Sequence, residues 1–428
     1  MMADDREVAD ALHGRHVAVV GMNYAPEPTG IAPYTAGLAE MLVAAGARVT
    51  VVTGIPHYPS WTVPAEYRWT LRAHERINGV DVIRARHFVP ARQNIVGRLW
   101  WEASFLANAG LVRLPARPDA VVAASPSLSG PVVARRLAHH HKVPYGVVVQ
   151  DLVGEATRNA GMQSAGRISG AAASVEGGAL RGAAQVAVVS EGFRQHVEAY
   201  GVAPDRISLL PNWAHIPAPS RERADVRREL GWDDDTFVVL HTGNMGLKQD
   251  LGNVVEAARL LAGRRDVLVV LMGDGNQRAA LEAQAAGVAN LRFLAPVDGD
   301  LYPDVLRAAD LLLVNERATV GDMSLPSKLT SYFSTGSPVL AAVGPDGSCA
   351  REVARTEGAA VRIDAEDPQR LADTIVELAA DPQRRARMGE AAQAYADRYL
   401  GRGSAAASVQ AFVGAVLGQV RAPVAADR

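Results

Sequence analysis

Two series of short, continuous apolar segments restrict the folds that this sequence can adopt. The first series comprises HVAVVG from residue 16, AVVAAS at 120–125, YGVVVQ at 145–150 and VAVVS at 186–190. The second comprises FVVLHTG at 237–243, VLVVLMGDG at 267–275, LRFLAP at 291–296, LLLVNE at 311–316 and SPVLAAV at 337–343. Apolar runs of this length without polar alternation are typical of parallel strands that helices cover on both faces. The sequence therefore predicts an α/β protein with two doubly wound, Rossmann-like sheets.

The apolar pattern also divides the chain, because prolines and dense charges interrupt it between the two series. We expect a flexible N-terminus over 1–14, an N-terminal Rossmann-like domain over 15–215 and a linker over 216–235. A C-terminal Rossmann-like domain would then occupy 236–390, followed by helices over 391–428 that partly cross back to the first domain. In two consecutive doubly wound domains that face each other across a cleft, the ligand is expected at the carboxyl ends of the strands.

Composition excludes several classes of protein. The 428 residues carry a net charge of -2, so no overall basic field indicates a nucleic-acid binder. No apolar run approaches the roughly 20 residues that span a bilayer, and the acidic N-terminus is unlike a signal peptide. Cys349 is the only cysteine, which argues against disulfides and thiol metal sites. We expect a cytoplasmic protein.

Lysine is rare in this arginine-rich sequence, and two of its three lysines stand at the starts of predicted helices. Lys248 lies in TGNMGLKQDL, directly after the first strand of the second series. Lys328 lies in LPSKL, where Pro326 would open a helix and Ser327 would share its first turn. A cation at a helix N-terminus is unfavourable unless an anion joins it. Both segments therefore predict phosphate binding, and Asp322 could accept hydrogen bonds from sugar hydroxyls.

Other loops carry weaker signals, and each has an ordinary structural alternative. Gly30 would let a ligand approach the loop after the first strand, which could equally be a plain strand–helix turn. Gly273 and Gly275 form a similar turn. Asp151 and Glu155 could orient an acceptor hydroxyl or cap a helix. His57, in the aromatic loop GIPHYPSW, could stack on a sugar.

The stretch over 93–114 mixes arginines with tryptophans and other apolar residues. This composition predicts an amphipathic helix that contacts lipid headgroups, as a peripheral partner at the inner face of a membrane. Packing of its tryptophans in the protein core is the alternative interpretation.

Taken together, these motifs resemble the retaining family-four glycosyltransferases, in particular the colanic-acid and capsule branch. The resemblance rests on NYAPEPTGIAPYT, PHYPSW, VVSEGF, LLPNW, GNMGLKQ, GDG, LPSKL and STGSPV, which together extend over most of the chain. It implies a GT-B fold in which the first domain binds the acceptor and the second binds a nucleotide-sugar. It also implies retention of anomeric configuration. We expect no metal and no cofactor.

The resemblance assigns roles to particular residues. The catalytic set would comprise Lys248, which holds the donor diphosphate, Lys328 beside it, and Asp151 near the reaction centre. The donor would be bound by Gly30, Gly243, Asn244, Gly273, Gly275, Asp322, Leu325, Pro326 and Ser327. The acceptor would be bound by Tyr24, Thr29, His57, Trp61, Glu155 and Glu191.

The sequence departs from the family at three of these places. The family carries two glutamates about two helical turns apart, and here Met323 and Ser331 occupy those positions. An arginine that often accompanies the lysine is replaced by Asn244. Nucleotide recognition is therefore expected to differ in detail from that of the wider family.

These features predict a transferase that moves a sugar, with a UDP-sugar favoured as donor, to an acceptor in surface polysaccharide or glycolipid assembly. A natural-product tailoring enzyme is a variant of the same hypothesis. Two alternatives come from other classes. A sugar-nucleotide epimerase would need carboxylates and histidines that converge on the sugar, and a nucleotide-sugar-binding module would bind the donor without consuming it.

Overall fold

The structure is a computed structural model that describes residues 11–28, 30–91, 95–151, 166–321 and 327–418. The chain forms two compact units. The first comprises Met1–Pro211 together with Gly403–Arg428, and the second comprises Asn212–Arg402. No helix within the described ranges is long and apolar enough to cross a membrane.

An eight-stranded sheet forms the centre of the first unit, with strand order β3-β4-β2-β1-β5-β6-β7-β8. The strands are β1 (His16–Val20), β2 (Arg48–Gly54), β3 (Arg72–Ile77), β4 (Val80–Ala85), β5 (Ala120–Ala124), β6 (Tyr145–Val149), β7 (Gln185–Val188) and β8 (Ile207–Leu209). All neighbours are parallel except β3, which lies antiparallel to β4 at the edge. Every residue of β1, β5 and β6 is buried, as expected of strands covered on both faces.

Helices connect these strands. They are α1 (Ala32–Ala44), α2 (Ile95–Ala109), α3 (Ser129–His141), α4 (Gly166–Gly182) and α5 (Arg194–Ala199), with α14 (Arg402–Val416) at the end of the chain. The last helix packs on β6, where Gly146 has no side chain. A Cβ atom at Gly146 would lie 2.5 Å from Val416 and 2.8 Å from Phe412, so the glycine permits this packing.

The second unit contains a six-stranded parallel sheet with strand order β11-β10-β9-β12-β13-β14. Its strands are β9 (Phe237–Asn244), β10 (Val267–Asp274), β11 (Leu291–Leu294), β12 (Leu311–Asn315), β13 (Val339–Ala342) and β14 (Ala360–Ile363). Its helices are α6 (Arg223–Leu230), α7 (Leu251–Leu260), α8 (Arg278–Gln284), α9 (Tyr302–Ala308), α10 (Ser327–Ser334), α11 (Ser348–Arg355), α12 (Pro368–Ala380) and α13 (Pro382–Tyr395). The predicted class, two doubly wound α/β sheets, is confirmed.

The strand orders place particular loops side by side. In the first sheet, β1 pairs with β2 on one side and β5 on the other. In the second sheet, β9 pairs with β10 and β12 in the same way. In each sheet the chain therefore continues on one side of this strand and later on the other, which leaves a crevice at the carboxyl ends of the strands. The loops after β1 and β9 therefore carry the candidate site residues of their units.

The predicted linker over 216–235 is instead largely part of the second unit, because it contains α6. The buried guanidinium of Arg227 donates hydrogen bonds to the carbonyl oxygens of Ala308, Asp233 and Thr236 and to the Asp310 carboxylate. These bonds occupy both terminal nitrogens of a charged group that is buried in the protein, whereas sequence patterning assigns it to solvent.

Candidate active site

In the second unit, the loop after β9 carries Lys248 in a single turn of 3-10 helix, Leu247–Gln249. The lysine side chain is exposed. Asp250 follows with a φ of 45° and precedes α7, so Lys248 belongs to a separate turn ahead of the long helix. Lys248 therefore stands shortly before the start of α7, as predicted, but in a turn of its own.

Hydrogen bonds fix the backbone of this loop. The Asn315 side chain, at the end of β12, donates to the carbonyl oxygens of Gln249 and Asp250 at 2.8 and 3.0 Å. The backbone N–H of Arg317 donates to the Lys248 carbonyl oxygen at 3.0 Å. The backbone from which the exposed Lys248 side chain extends is therefore held from two sides.

Gly273 and Gly275 have a structural reason to be glycine. A Cβ atom at Gly273 would lie 1.8 Å from the Gly243 carbonyl oxygen, and one at Gly275 would lie 2.5 Å from the Met245 carbonyl oxygen. The loops after β9 and β10 therefore approach each other more closely than side chains would allow. This packing explains both glycines without a ligand, and donor contact by Gly243, Gly273 and Gly275 stays a prediction.

Lys328 lies at the second position of α10, and its Nζ atom is 3.1 Å from Nε2 of His241 on β9. The other ring nitrogen of His241 lies 3.0 Å from the Leu313 carbonyl oxygen. Since a carbonyl can only accept, Nδ1 carries the proton and Nε2 accepts from the ammonium group. Burial, with the charge of Lys328, holds the pKa of His241 well below its usual value.

Glu316 is the acidic member of this cluster, and sequence reasoning missed it. It directly follows β12, and only 7% of its surface is exposed. Burial raises the pKa of Glu316, while Lys328 and then Lys248 oppose that rise. Burial likewise lowers the pKa of Lys328, and Glu316 opposes it. The positive charges of both candidate lysines therefore oppose the effect of burial on the pKa of one carboxyl group, which lies at the carboxyl end of β12.

The remaining donor predictions of this unit fall near α10. Asp322, Leu325 and Pro326, together with Met323, lie outside the described residues. Ser327 is exposed at the first position of the helix, and Asn244 is exposed at the end of β9. Ser331, at the position where the family carries a glutamate, is buried with 4% of its surface exposed.

In the first unit, Glu27 joins the loop after β1 to the loop after β2. Its carboxylate accepts hydrogen bonds from the backbone N–H groups of His57 and Tyr58 at 2.8 and 2.9 Å, and from the Asn23 amide. Gly30 is exposed with a φ of 71°, and a Cβ atom there would lie 3.1 Å from the Tyr58 ring. The loop that bears Gly30 is therefore packed against Tyr58, and its contact with donor stays a prediction.

Two predicted acceptor contacts have buried side chains in this structure, and their contact with an acceptor stays a prediction. Tyr24 is 1% exposed and His57 is 3% exposed. The Nδ1 atom of His57 lies 3.0 Å from the Ile55 carbonyl oxygen, and Nε2 accepts from the Trp101 indole at 3.2 Å. Burial lowers the pKa of His57, which agrees with this neutral ring. In this structure the His57 ring connects the loop after β2 to α2.

The other acceptor candidates stay predictions. Trp61 is half-buried and packs edge-on against His57. Asp151 is half-buried just after β6, and Glu191 follows the neighbouring strand β7. The Glu191 carboxylate is paired with Arg194 at 2.8 Å. Thr29 and Glu155 lie outside the described residues.

No group of three or more histidine, cysteine or acidic side chains suited to a metal ion occurs in the part of the chain that the structure describes. The expectation of a metal-independent reaction is not tested by this observation.

Comparisons with known proteins agree on one family. Residues 29–213 match the family described as glycosyl transferase 4-like domain, and residues 222–395 match glycosyl transferases group 1. The chain is 31% identical over 336 residues to the putative colanic acid biosynthesis glycosyl transferase WcaI of Escherichia coli (strain K12). That match covers 75% of this chain and 81% of the relative.

Solved structures share the fold. Sucrose-phosphate synthase from Thermosynechococcus elongatus superposes with a TM-score of 0.69 at 17% identity, over 92% of this chain and 96% of that one. Anabaena HepE in complex with UDP superposes with a TM-score of 0.65 at 16% identity, over 95% of this chain and 100% of that one.

Proposed function

This chain belongs to the group 1 glycosyltransferases with the GT-B fold, and from that premise we propose that it transfers a sugar, with retention of configuration, from a UDP-sugar to an acceptor hydroxyl. The observation that carries the proposal is a pair of lysines beside β9 of the second sheet: Lys248 is exposed in the loop after that strand, and Lys328 contacts His241 within it. Two lysines at the carboxyl ends of parallel strands suit the two negative phosphates of a nucleotide-sugar.

We propose that these lysines supply the electrostatic part of catalysis. As the bond between the sugar and the diphosphate breaks, negative charge grows on the leaving phosphate oxygen. The exposed ammonium group of Lys248 and the ammonium group of Lys328, which lies 3.1 Å from Nε2 of His241, would stabilise that charge. In this mechanism no metal ion is needed for the diphosphate. Loss of one lysine is expected to lower turnover about 10²–10³-fold, as for a lost oxyanion donor.

The retaining course would follow from attack by the acceptor on the face from which the diphosphate leaves. The departing phosphate oxygen then takes the proton of the acceptor hydroxyl, so the step balances without a dedicated base. In this proposal the acceptor is bound by the first unit, with Asp151, Trp61 and Glu191 as its candidate contacts.

We further propose that the product belongs to a surface polysaccharide or a glycolipid and that the reaction takes place in the cytoplasm. The relative from Escherichia coli, whose name refers to colanic acid biosynthesis, supports the first part. The complex of HepE with UDP supports the choice of donor nucleotide. A free, buried Cys349 suits a reducing compartment.

Acceptor-dependent release of nucleotide tests the proposal. The full-length protein is incubated with UDP-, GDP- and dTDP-sugars in EDTA, with and without a lipid extract, and the new linkage is identified by NMR. We expect release of UDP only when acceptor is present, and an α-linked product from an α-linked donor. Epimerisation of the donor, or binding without release, would contradict the proposal in favour of an isomerase or a binding module. Transfer to a soluble acceptor instead of the lipid fraction would favour the tailoring variant.

A further inference from the structure

Helix α2 presents an apolar stripe to solvent. Val96 and Trp100 are each 63% exposed, Leu99 is 49% exposed and Leu106 is 37% exposed. The opposite side of the helix, with Trp101 and Phe105, is buried in the core of the first unit. A surface helix normally carries polar residues on its outer face, so α2 is apolar where an ordinary helix meets water.

A second exposed segment adjoins this helix. Trp69 and Leu71, just before β3, are 86% and 74% exposed. The guanidinium of Arg86 donates to the Arg68 carbonyl oxygen at 2.6 Å, and its backbone N–H donates to the Leu71 carbonyl oxygen at 3.0 Å. The Asn108 side chain, near the end of α2, donates in turn to the Arg86 carbonyl oxygen at 2.7 Å. These bonds hold the backbone of residues 68–71 near the last turn of the helix.

We call the two segments together the apolar surface, defined by Trp69, Leu71, Val96, Leu99, Trp100 and Leu106. Exposed arginines accompany it: Arg68 and Arg72 around Trp69 and Leu71, Arg98 on α2 and Arg113 just after α2. Of the nearby carboxylates, Glu66 is exposed, whereas Glu102 accepts hydrogen bonds from the backbone N–H groups of Leu128 and Ser129. The apolar surface is thus flanked mainly by positive charge.

We propose that the apolar surface docks on an anionic phospholipid bilayer and lies in its headgroup region. Tryptophan and leucine side chains would enter the boundary between headgroups and acyl chains, while the arginines meet lipid phosphates. Tryptophan favours this boundary because its ring is apolar and its N–H is polar.

A second copy of the chain is a poorer occupant. A two-fold dimer places the same patch of both copies in contact, so the four arginines of one copy would face those of the other. The arginines therefore favour an anionic partner over self-association.

The buried side of α2 gives this docking a consequence. Trp101 donates to His57, whose backbone N–H is held by Glu27 in the loop after β1. Docking of α2 would therefore set the position of that loop relative to the bilayer. Docking itself does not rest on the proposed transferase activity, because it is measured without donor or acceptor.

Vesicle sedimentation tests the proposal. The full-length protein is mixed with vesicles of phosphatidylcholine alone, or of phosphatidylcholine with phosphatidylglycerol, at low and high salt. The double variant Leu99→Ser/Trp100→Ser removes apolar side chains from the middle of the surface. Leu260→Ser is the matched control, because Leu260 is 53% exposed on the second unit, outside the apolar surface.

We expect binding to the anionic vesicles, weakened by salt, reduced about tenfold or more in the double variant and unchanged in Leu260→Ser. Three results would overturn the proposal: no binding to anionic vesicles, equal binding by the double variant, or equal binding to neutral vesicles. Light scattering on the same samples addresses the alternative occupant. A wild-type dimer that becomes a monomer in the double variant, without vesicle binding, would assign the surface to a second copy.

Discussion

The Nζ atom of Lys328 lies 3.1 Å from the Nε2 atom of His241, and the lysine is the donor in this contact. The Nδ1–H of the histidine donates a hydrogen bond to the Leu313 carbonyl oxygen, so Nε2 accepts from the lysine and the ring is neutral. This hydrogen bond connects the helix α10 to the strand β9.

The burial of Lys328 predicts a pH dependence of activity. Because burial lowers the pKa of Lys328, its ammonium group loses its proton at a lower pH than an exposed lysine does. We therefore expect kcat/KM for the donor to fall as pH rises through that lowered pKa. Glu316 opposes the effect of burial, so Glu316→Gln should lower the pKa of Lys328 further and move the alkaline limb to lower pH.

The measurement is the pH profile of kcat/KM for the wild type and the variant. Glu390→Gln, which changes an exposed carboxylate on α13, serves as the control for charge and should leave the limb in place. An alkaline limb that does not move in Glu316→Gln, or that moves to higher pH, would show that this carboxylate does not set the state of Lys328.

Close packing of two loops predicts the effect of a single methyl group. Gly273→Ala would place a Cβ atom 1.8 Å from the Gly243 carbonyl oxygen, at a φ of 151°. We expect destabilisation by at least about 2 kcal/mol, seen as a lower midpoint of thermal unfolding. Gly263→Ala is the matched control, since no atom lies within 4 Å of a Cβ atom there. Equal midpoints for the two variants would mean that the loops have room to separate.

The adjacent tryptophans on α2, one buried and one exposed, predict different effects of the same substitution on thermal stability. Trp101→Phe removes the N–H that Nε2 of His57 accepts, and it leaves that buried nitrogen without its donor. We expect a cost of about 1–3 kcal/mol in stability, measured as a lower thermal midpoint. Trp100→Phe changes an exposed ring and should leave the midpoint unchanged. The interpretation of His57 as a buried tie fails if both variants melt together.

Much of the fold could be predicted from sequence, because the continuous apolar strands carry their own signal. The helix α6 could not, since its charged sequence is typical of a linker. Only the structure shows that Arg227 is buried among carbonyl oxygens and Asp310. The partners Ala308 and Asp310 are more than 80 residues away in sequence, so no local pattern reveals that this guanidinium is buried.

The candidate site was predicted unevenly for the same reason. The two lysines were conspicuous because lysine is rare in this chain. Glu316 and His241 stand in apolar strand sequence, and their roles arise from neighbours distant in sequence. His57 was expected to meet a sugar because aromatic loops often do, but the indole of Trp101 and the Ile55 carbonyl oxygen occupy its ring nitrogens.

In the described part of 93–114, the helix α2 shows one feature of each interpretation that the sequence left open, and its contact with lipid stays a prediction. Trp101 is a core residue and Trp100 is exposed, so one helix packs with one face and presents apolar side chains with the other. Local composition reports the presence of tryptophan but not the side of the helix on which each ring lies.

The central claim, that lysines of the second unit hold the donor diphosphate, is tested most directly by thermal unfolding of the wild type and Lys248→Ala with UDP, in the absence and in the presence of EDTA. Arg265→Ala is the matched control, because it removes one exposed positive charge just before β10, at the amino ends of the strands of the same sheet. A ligand at a hundred times its Kd adds about 2.7 kcal/mol to the stability of the unit that binds it.

We expect UDP to raise the midpoint of the wild type and of Arg265→Ala equally, and to leave the midpoint of Lys248→Ala nearly unchanged. Equal stabilisation of all three proteins would contradict the claim that Lys248 binds the diphosphate. Stabilisation of the wild type that disappears in EDTA would contradict the claim that lysines replace a metal.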